Sequence, residues 1–149
     1  MADIIRIIIK SASGYGPVDE AYEDKLVITS SSIRYEYKPY PESRSATNIY
    51  RKWSYKTISP MFKEIYDRIA DMTPYYLHNR EVLFVTDIGP TIITAVFADN
   101  HRETANLFCP SDYFKDYFRT IKRLVPACER TPAVLLTSED FEEAESDMD

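Results

Sequence analysis

Glycine is nearly absent from this chain, with three in 149 residues. That excludes a collagen-like repeat or a flexible linker and leaves little material for a glycine-rich phosphate loop. Gly14 and Gly16 stand in SASGYGPVDE (11–20), where neither the Lys-Ser/Thr pair nor the spacing of a phosphate loop follows. The stretch reads as a turn after a first strand. Cysteine is as scarce. Cys109 and Cys128 are too few for a small disulfide scaffold. The two histidines, His78 and His101, have no Cys, His or carboxylate at metal-ligand spacing and read as surface residues in loops. No apolar run reaches the length of a membrane span. The N-terminal MADIIRIIIK lacks a basic leader and a small-residue cleavage site. Together these absences predict a cytoplasmic protein with reduced thiols, no membrane partner, and neither cofactor nor metal.

Catalytic signatures are missing too. Cys109 precedes Pro110, and Cys128 follows Pro126 by two positions. A reactive thiol needs a base or an electropositive setting, and only a chance proximity of His101 to Cys109 would supply one. Asp87, in DIGP, is explained as a turn residue. The chain is therefore expected not to be an enzyme.

What is present in quantity is aromatic: twelve Tyr, seven Phe and one Trp. Many of these rings fall in two segments that read alike, SPMFKEIYDRIADMTP (59–74) and SDYFKDYFRTIKRLVP (111–126). Each spaces its apolar residues as one face of a helix: Met61, Phe62, Ile65, Tyr66, Ile69 and Met72 in the first, and Tyr113, Phe114, Tyr117, Phe118, Ile121, Leu124 and Val125 in the second. Ser59–Pro60 and Ser111–Asp112 are suitable starts, and a proline, Pro74 or Pro126, is expected to close each helix.

Three strands precede each helix. KLVITSSSIRYEYK (25–38) reads as a hairpin, with Ile33, Tyr35 and Tyr37 alternating against Arg34, Glu36 and Lys38. VLFVTDIGPTIITAVF (82–97) reads as a second hairpin, turning through Asp87–Pro90. RKWSYK (51–56) and ETANLF (103–108) supply the third strands, and DIIRIIIK adds one at the front. The expectation is an α+β domain over 1–137. It has one antiparallel sheet of about seven strands, with both helices on one face. Its half-repeats, 25–74 and 82–126, are strand–strand–strand–helix units that suggest an internal duplication.

Charge is uneven along the chain, whose net is −6. Residues 33–58 carry six cations against two carboxylates, interleaved with Tyr35, Tyr37, Tyr40, Tyr50, Trp53 and Tyr55. Residues 127–149 carry one cation against eight carboxylates. The favoured reading of 33–58 puts the rings on one sheet face and the cations on the solvated one. The alternative is a single-strand nucleic-acid surface. The segment 131–137, TPAVLLT, is apolar enough to dock on the domain, at a sheet edge or on the second helix. Residues 138–149 are expected to be an acidic, disordered arm.

The leading functional expectation is protein–protein interaction, with an unidentified partner or with a second copy, through a sheet face carrying aromatics among charges. Candidate partner-binding residues are Arg34, Tyr40, Arg44, Tyr50, Arg51 and Lys52. Nucleic acid is the less favoured partner. An acidic nucleic-acid mimic of the kind found in phages and mobile elements is a further alternative.

Overall fold

The computed structural model describes residues 3–13, 16–78 and 89–140. These form an α+β fold with one antiparallel sheet. Its six strands are β1 (Ile4–Ala12), β2 (Tyr22–Thr29), β3 (Ser32–Pro39), β4 (Arg51–Lys56), β5 (Thr91–Phe97) and β6 (Arg102–Leu107). The order across the sheet is β4-β3-β2-β1-β5-β6. The strand expected at 82–86, seventh in the count, lies outside the described residues, as do Asp87 and most of the acidic arm.

The apolar β1 lies inside the sheet, between β2 and β5. Ile7 and Ile9 enter the main core, and Ile8 lies with Val27 and Val96 in a small cluster on the opposite face. The hairpin β2–β3 turns at Ser30–Ser31 in the register Ile28↔Ile33 and Leu26↔Tyr35. The turn between β5 and β6 uses Asn100 at φ 72°, a left-handed conformation that asparagine tolerates better than most residues. Gly89, just before β5, has a strict requirement. A Cβ there would lie 2.0 Å from the Ala12 carbonyl oxygen, so only glycine lets the chain pass the end of β1.

Helix α1 (Pro60–His78) carries the chain from the β4 edge back across the sheet to β5. The Phe62 N–H is 3.5 Å from Ser59 Oγ, which caps the first turn. Pro74 does not close the helix as expected. It stands inside it. An internal proline costs about 3 kcal/mol, but Tyr76 and Leu77 beyond it are buried in the core, and each such burial contributes roughly 1.5–3 kcal/mol. Helix α2 (Lys115–Lys122) also starts differently from expectation. A 3-10 turn over Ser111–Phe114 precedes it, and Ser111 makes no side-chain cap. The Asp112 carboxylate instead accepts the Ser138 N–H at 2.8 Å.

The two helices cover the same sheet face, and aromatic rings join them. Tyr76 of α1 stacks on Tyr117 with centroids 4.6 Å apart and lies 5.5 Å from Phe114. Most of the helical apolar stripe is buried as expected, but Met61 is exposed. At the centre, Thr73 Oγ1 donates to the Ile69 carbonyl at 2.7 Å, so the fully buried Tyr117 hydroxyl donates to Thr73 at 2.8 Å. Thr73→Val strands that hydroxyl in a dry core and is expected to cost about 2 kcal/mol. Adding Tyr117→Phe should recover part of the loss, because an unmade buried hydrogen bond costs more than one whose partners are both removed. A double-mutant cycle in urea checks this. Equal losses in the single and double variants would contradict it.

The segment 131–137 docks as expected, but on the helix-covered face beside α2 rather than at a sheet edge. Val134 and Leu135 are buried there, in a short 3-10 turn (Ala133–Leu135) that touches β1, β2 and α2. The docked region also runs past Thr137, where the arm was expected to begin. Glu139 pairs with Arg119, and Asp140 accepts from Lys122 at 2.6 Å and from the Thr137 N–H at 2.9 Å.

Candidate functional site

Strand alternation leaves the sheet with two unlike faces. On the helix side lie Tyr35, Tyr37, Trp53 and Tyr55, by register with Leu26 and Ile28. Among the described residues, the registers align Arg6, Lys10, Lys25, Arg34, Lys38, Lys52, Lys56 and Arg102 on the open side with only Glu23 and Glu36. That is eight cations against two carboxylates, a net of +6, on a chain whose net charge is −6. All eight cations are exposed.

The order of residues across this face matters. One row runs Thr104, Thr94, Ile8, Val27, Arg34, Ser54. The next runs Asn106, Ile92, Lys10, Lys25, Glu36, Lys52. Lys10 and Lys25 are therefore direct cross-strand partners. Like charges placed opposite each other destabilise a sheet. Glu36, opposite both Lys25 and Lys52, relieves part of this, but it is shared with other partners. Its carboxylate accepts the Tyr50 hydroxyl at 2.6 Å and pairs with Lys38 at 3.3 Å, and these contacts hold it below the usual carboxylate range. Among the described residues, no ion pair engages Arg6, Lys10, Lys25, Arg34, Lys52, Lys56 or Arg102.

Two shallow depressions mark the face. One, of about 430 Å³, lies toward the Ala12 end and is lined by Lys10, Lys25 and Lys38 but also by Glu23, Asp24 and Glu36. The other, of about 440 Å³, lies over β2, β3 and β4. It is lined by Lys25, Arg34, Lys52 and Lys56, with Glu36 as its single carboxylate.

The sequence-predicted candidates divide. Arg34 and Lys52 stand on the open face, and Tyr50 reaches it through Glu36. Arg51 does not. It is on the helix side, with its guanidinium 4.1 Å from the centroid of the Tyr37 ring. Tyr40 and Arg44 belong to the loop between β3 and β4, which is held to the turn before β2: the Arg44 N–H donates to Asp19 Oδ1 at 2.7 Å, and Asn48 Nδ2 donates to the Asp19 and Ala21 carbonyls at 2.9 and 3.0 Å. The expectation of aromatics among the charges on the exposed face is corrected. The rings of β3 and β4 turn toward the helices, where they bury apolar area. Arg6, Lys10, Lys25, Lys38, Lys56 and Arg102 were missed. Arg102 falls one residue before the strand expected at 103–108, the others lie in expected strands, and only the pairing register gathers them on one face.

The remaining chemistry is dispersed. His101 and Cys109 flank opposite ends of β6, so they do not form a pair. His101 stacks on Phe97 and bonds Asp99, and burial pushes the Cys109 thiol up. Among the described residues, no group of three or more His, Cys, Asp or Glu is gathered as for a metal ion, and no helix is long and apolar enough to cross a membrane. No protein-family model matches the chain, and a search of curated proteins returns no match.

Proposed function

We propose that this is a non-enzymatic cytoplasmic binding protein that docks an acidic partner protein on the open face of its sheet. The observation that carries this reading is the unbalanced charge of that face, with eight cations and two carboxylates on an acidic chain. Six strands at about 4.8 Å spacing make a surface of roughly the size one partner contributes to a standard interface. Such a face raises the association rate and rejects basic partners.

Two features weigh against nucleic acid as the partner. The rings of β3 and β4, Tyr35, Tyr37, Trp53 and Tyr55, are turned to the helix side, so the open face carries no row of rings on which bases could stack. Outside the open face the chain sums to −12, the difference between −6 and +6, which opposes a long polyanion. The cations alone still favour phosphate, so nucleic acid remains the second reading. The same proposal takes 25–74 and 82–126 as copies of one unit. Ile69 and Ile121, at matching positions of the two helices, are both fully buried in one core, which supports it.

The test is capture of a partner by the wild-type chain and by Arg34→Glu/Lys52→Glu/Lys56→Glu. These side chains are exposed, so the variant should keep its stability within about 0.5 kcal/mol. It should lose an acidic partner that nuclease treatment does not release. Equal capture by both chains would contradict the proposal, and release by nuclease would favour the second reading.

A further inference from the structure

We infer that the depression over β2, β3 and β4 is an oxyanion subsite in which Arg34 holds a carboxylate side chain of the partner. The inference rests on the acidic-partner reading and narrows it to one spot. Arg34 faces Val27 on one side and Ser54 on the other. Its diagonal neighbours on the same face are Lys25 on β2 and Lys52 and Lys56 on β4. Diagonal neighbours in a sheet lie about 7–8 Å apart, within reach of long side chains. Four cations thus surround a hollow of about 440 Å³.

The one carboxylate in its lining, Glu36, already has Tyr50 and Lys38 as partners. Glu36, opposite Lys25 and Lys52, relieves their repulsion only in part, and four cations against one carboxylate leave the hollow positive. A local rule broken with only partial compensation is what a binding site leaves behind in an otherwise consistent sheet. An incoming carboxylate would meet the planar fork of Arg34, which suits bidentate pairing. It would also relieve the repulsion among the lysines. The second depression is a poorer anion site, because three carboxylates line it beside three lysines.

The experiment titrates the isotope-labelled full chain with hexaglutamate and, separately, with inorganic phosphate. Hexaglutamate should move the Arg34 Nε–H and Ser54 amide resonances. Arg34→Gln should weaken its binding about tenfold, and Arg6→Gln, elsewhere on the same face, less than about twofold. Arg34→Gln should also leave the melting temperature unchanged or raise it, since it removes a like charge. Equal effects of the two substitutions would overturn the subsite while leaving the acidic-partner face standing. Stronger binding of phosphate than of hexaglutamate would overturn the carboxylate assignment. No binding of hexaglutamate at low salt would overturn both the subsite and the face.

Discussion

Ile69→Asp and Ile121→Asp should each destabilise the fold by about 4 kcal/mol or more, a large share of the roughly 5–15 kcal/mol that holds a domain of this kind together. Both side chains are fully buried in the core between helices and sheet. A carboxylate placed there loses its hydration and finds no cation. The cationic groups of α1 and α2, such as Lys63 and Arg119, point outward to Asp67, Asp116 and Glu139. Burying an unpaired charge is among the few single changes that unfold a domain. Met61→Asp is the control. Met61 lies on the same α1 but is exposed, and its change should stay within about 0.5 kcal/mol. Urea denaturation monitored by circular dichroism reads all three. A cooperative transition near the wild-type midpoint for either core variant would contradict the shared core.

Asp24→Ala is the second large effect, expected at about 3 kcal/mol. This carboxylate is buried on the helix side of β2. It accepts Ser11 Oγ at 2.5 Å, the Tyr35 hydroxyl at 2.7 Å and the Val134 N–H at 2.9 Å. The Tyr35 hydroxyl also accepts the Ala133 N–H at 3.2 Å. One side chain therefore ties β1, β3 and the segment 131–137 together, and alanine strands several donors at once. Burial outweighs these donors and holds the carboxyl above its ordinary value. The folded chain then keeps a proton on Asp24 at pH values where the unfolded chain has released it. The stability this group contributes is fullest below the unfolded value of about 3.9 and falls as pH rises toward the raised folded value. The loss on substitution should thus be greater near pH 4 than near pH 7. Ending the chain after Arg130 removes Val134 and Leu135 and attacks the same junction. The two changes together should cost less than the sum of each alone. Full additivity would mean that Asp24 does not anchor the segment.

The parts of this fold that follow local rules were legible in the sequence. Alternation of Ile33, Tyr35 and Tyr37 with Arg34, Glu36 and Lys38 reads as a strand with one apolar face, and β3 is that strand. RKWSYK became β4 with the bounds expected of it. Where tertiary contacts overrule local preference, the reading failed. Pro74 reads as a helix end, but Tyr76 and Leu77 have a core to enter, and no nearby residue announces that. Asp24 stands in YEDKLVIT, between two charged neighbours, and reads as a surface residue. Its partner Val134 lies 110 residues away.

The candidate site was legible in half. The basic character of 33–58 is visible along the chain, and it led to Arg34 and Lys52. The contributions of β1, β2 and β6 were not, because Arg6, Lys10, Lys25 and Arg102 are scattered singly among apolar or acidic neighbours. Only the order β4-β3-β2-β1-β5-β6 assembles them. Arg51 shows the opposite error. It sits beside Lys52 in sequence, but strand alternation sends it to the other face, over Tyr37.

The most direct test of the central claim is lysine footprinting of the full chain, free and bound to the captured partner, with an amine-reactive reagent read by mass spectrometry. Lys10, Lys25, Lys52 and Lys56 stand on the open face, while Lys63 stands on the solvent side of α1 with its ammonium 2.9 Å from Asp67. If the open face binds the partner, the four sheet lysines lose reactivity on binding and Lys63 keeps it. Protection of Lys63 with Lys25, Lys52 and Lys56 still fully reactive would place the partner on the helices and contradict the account.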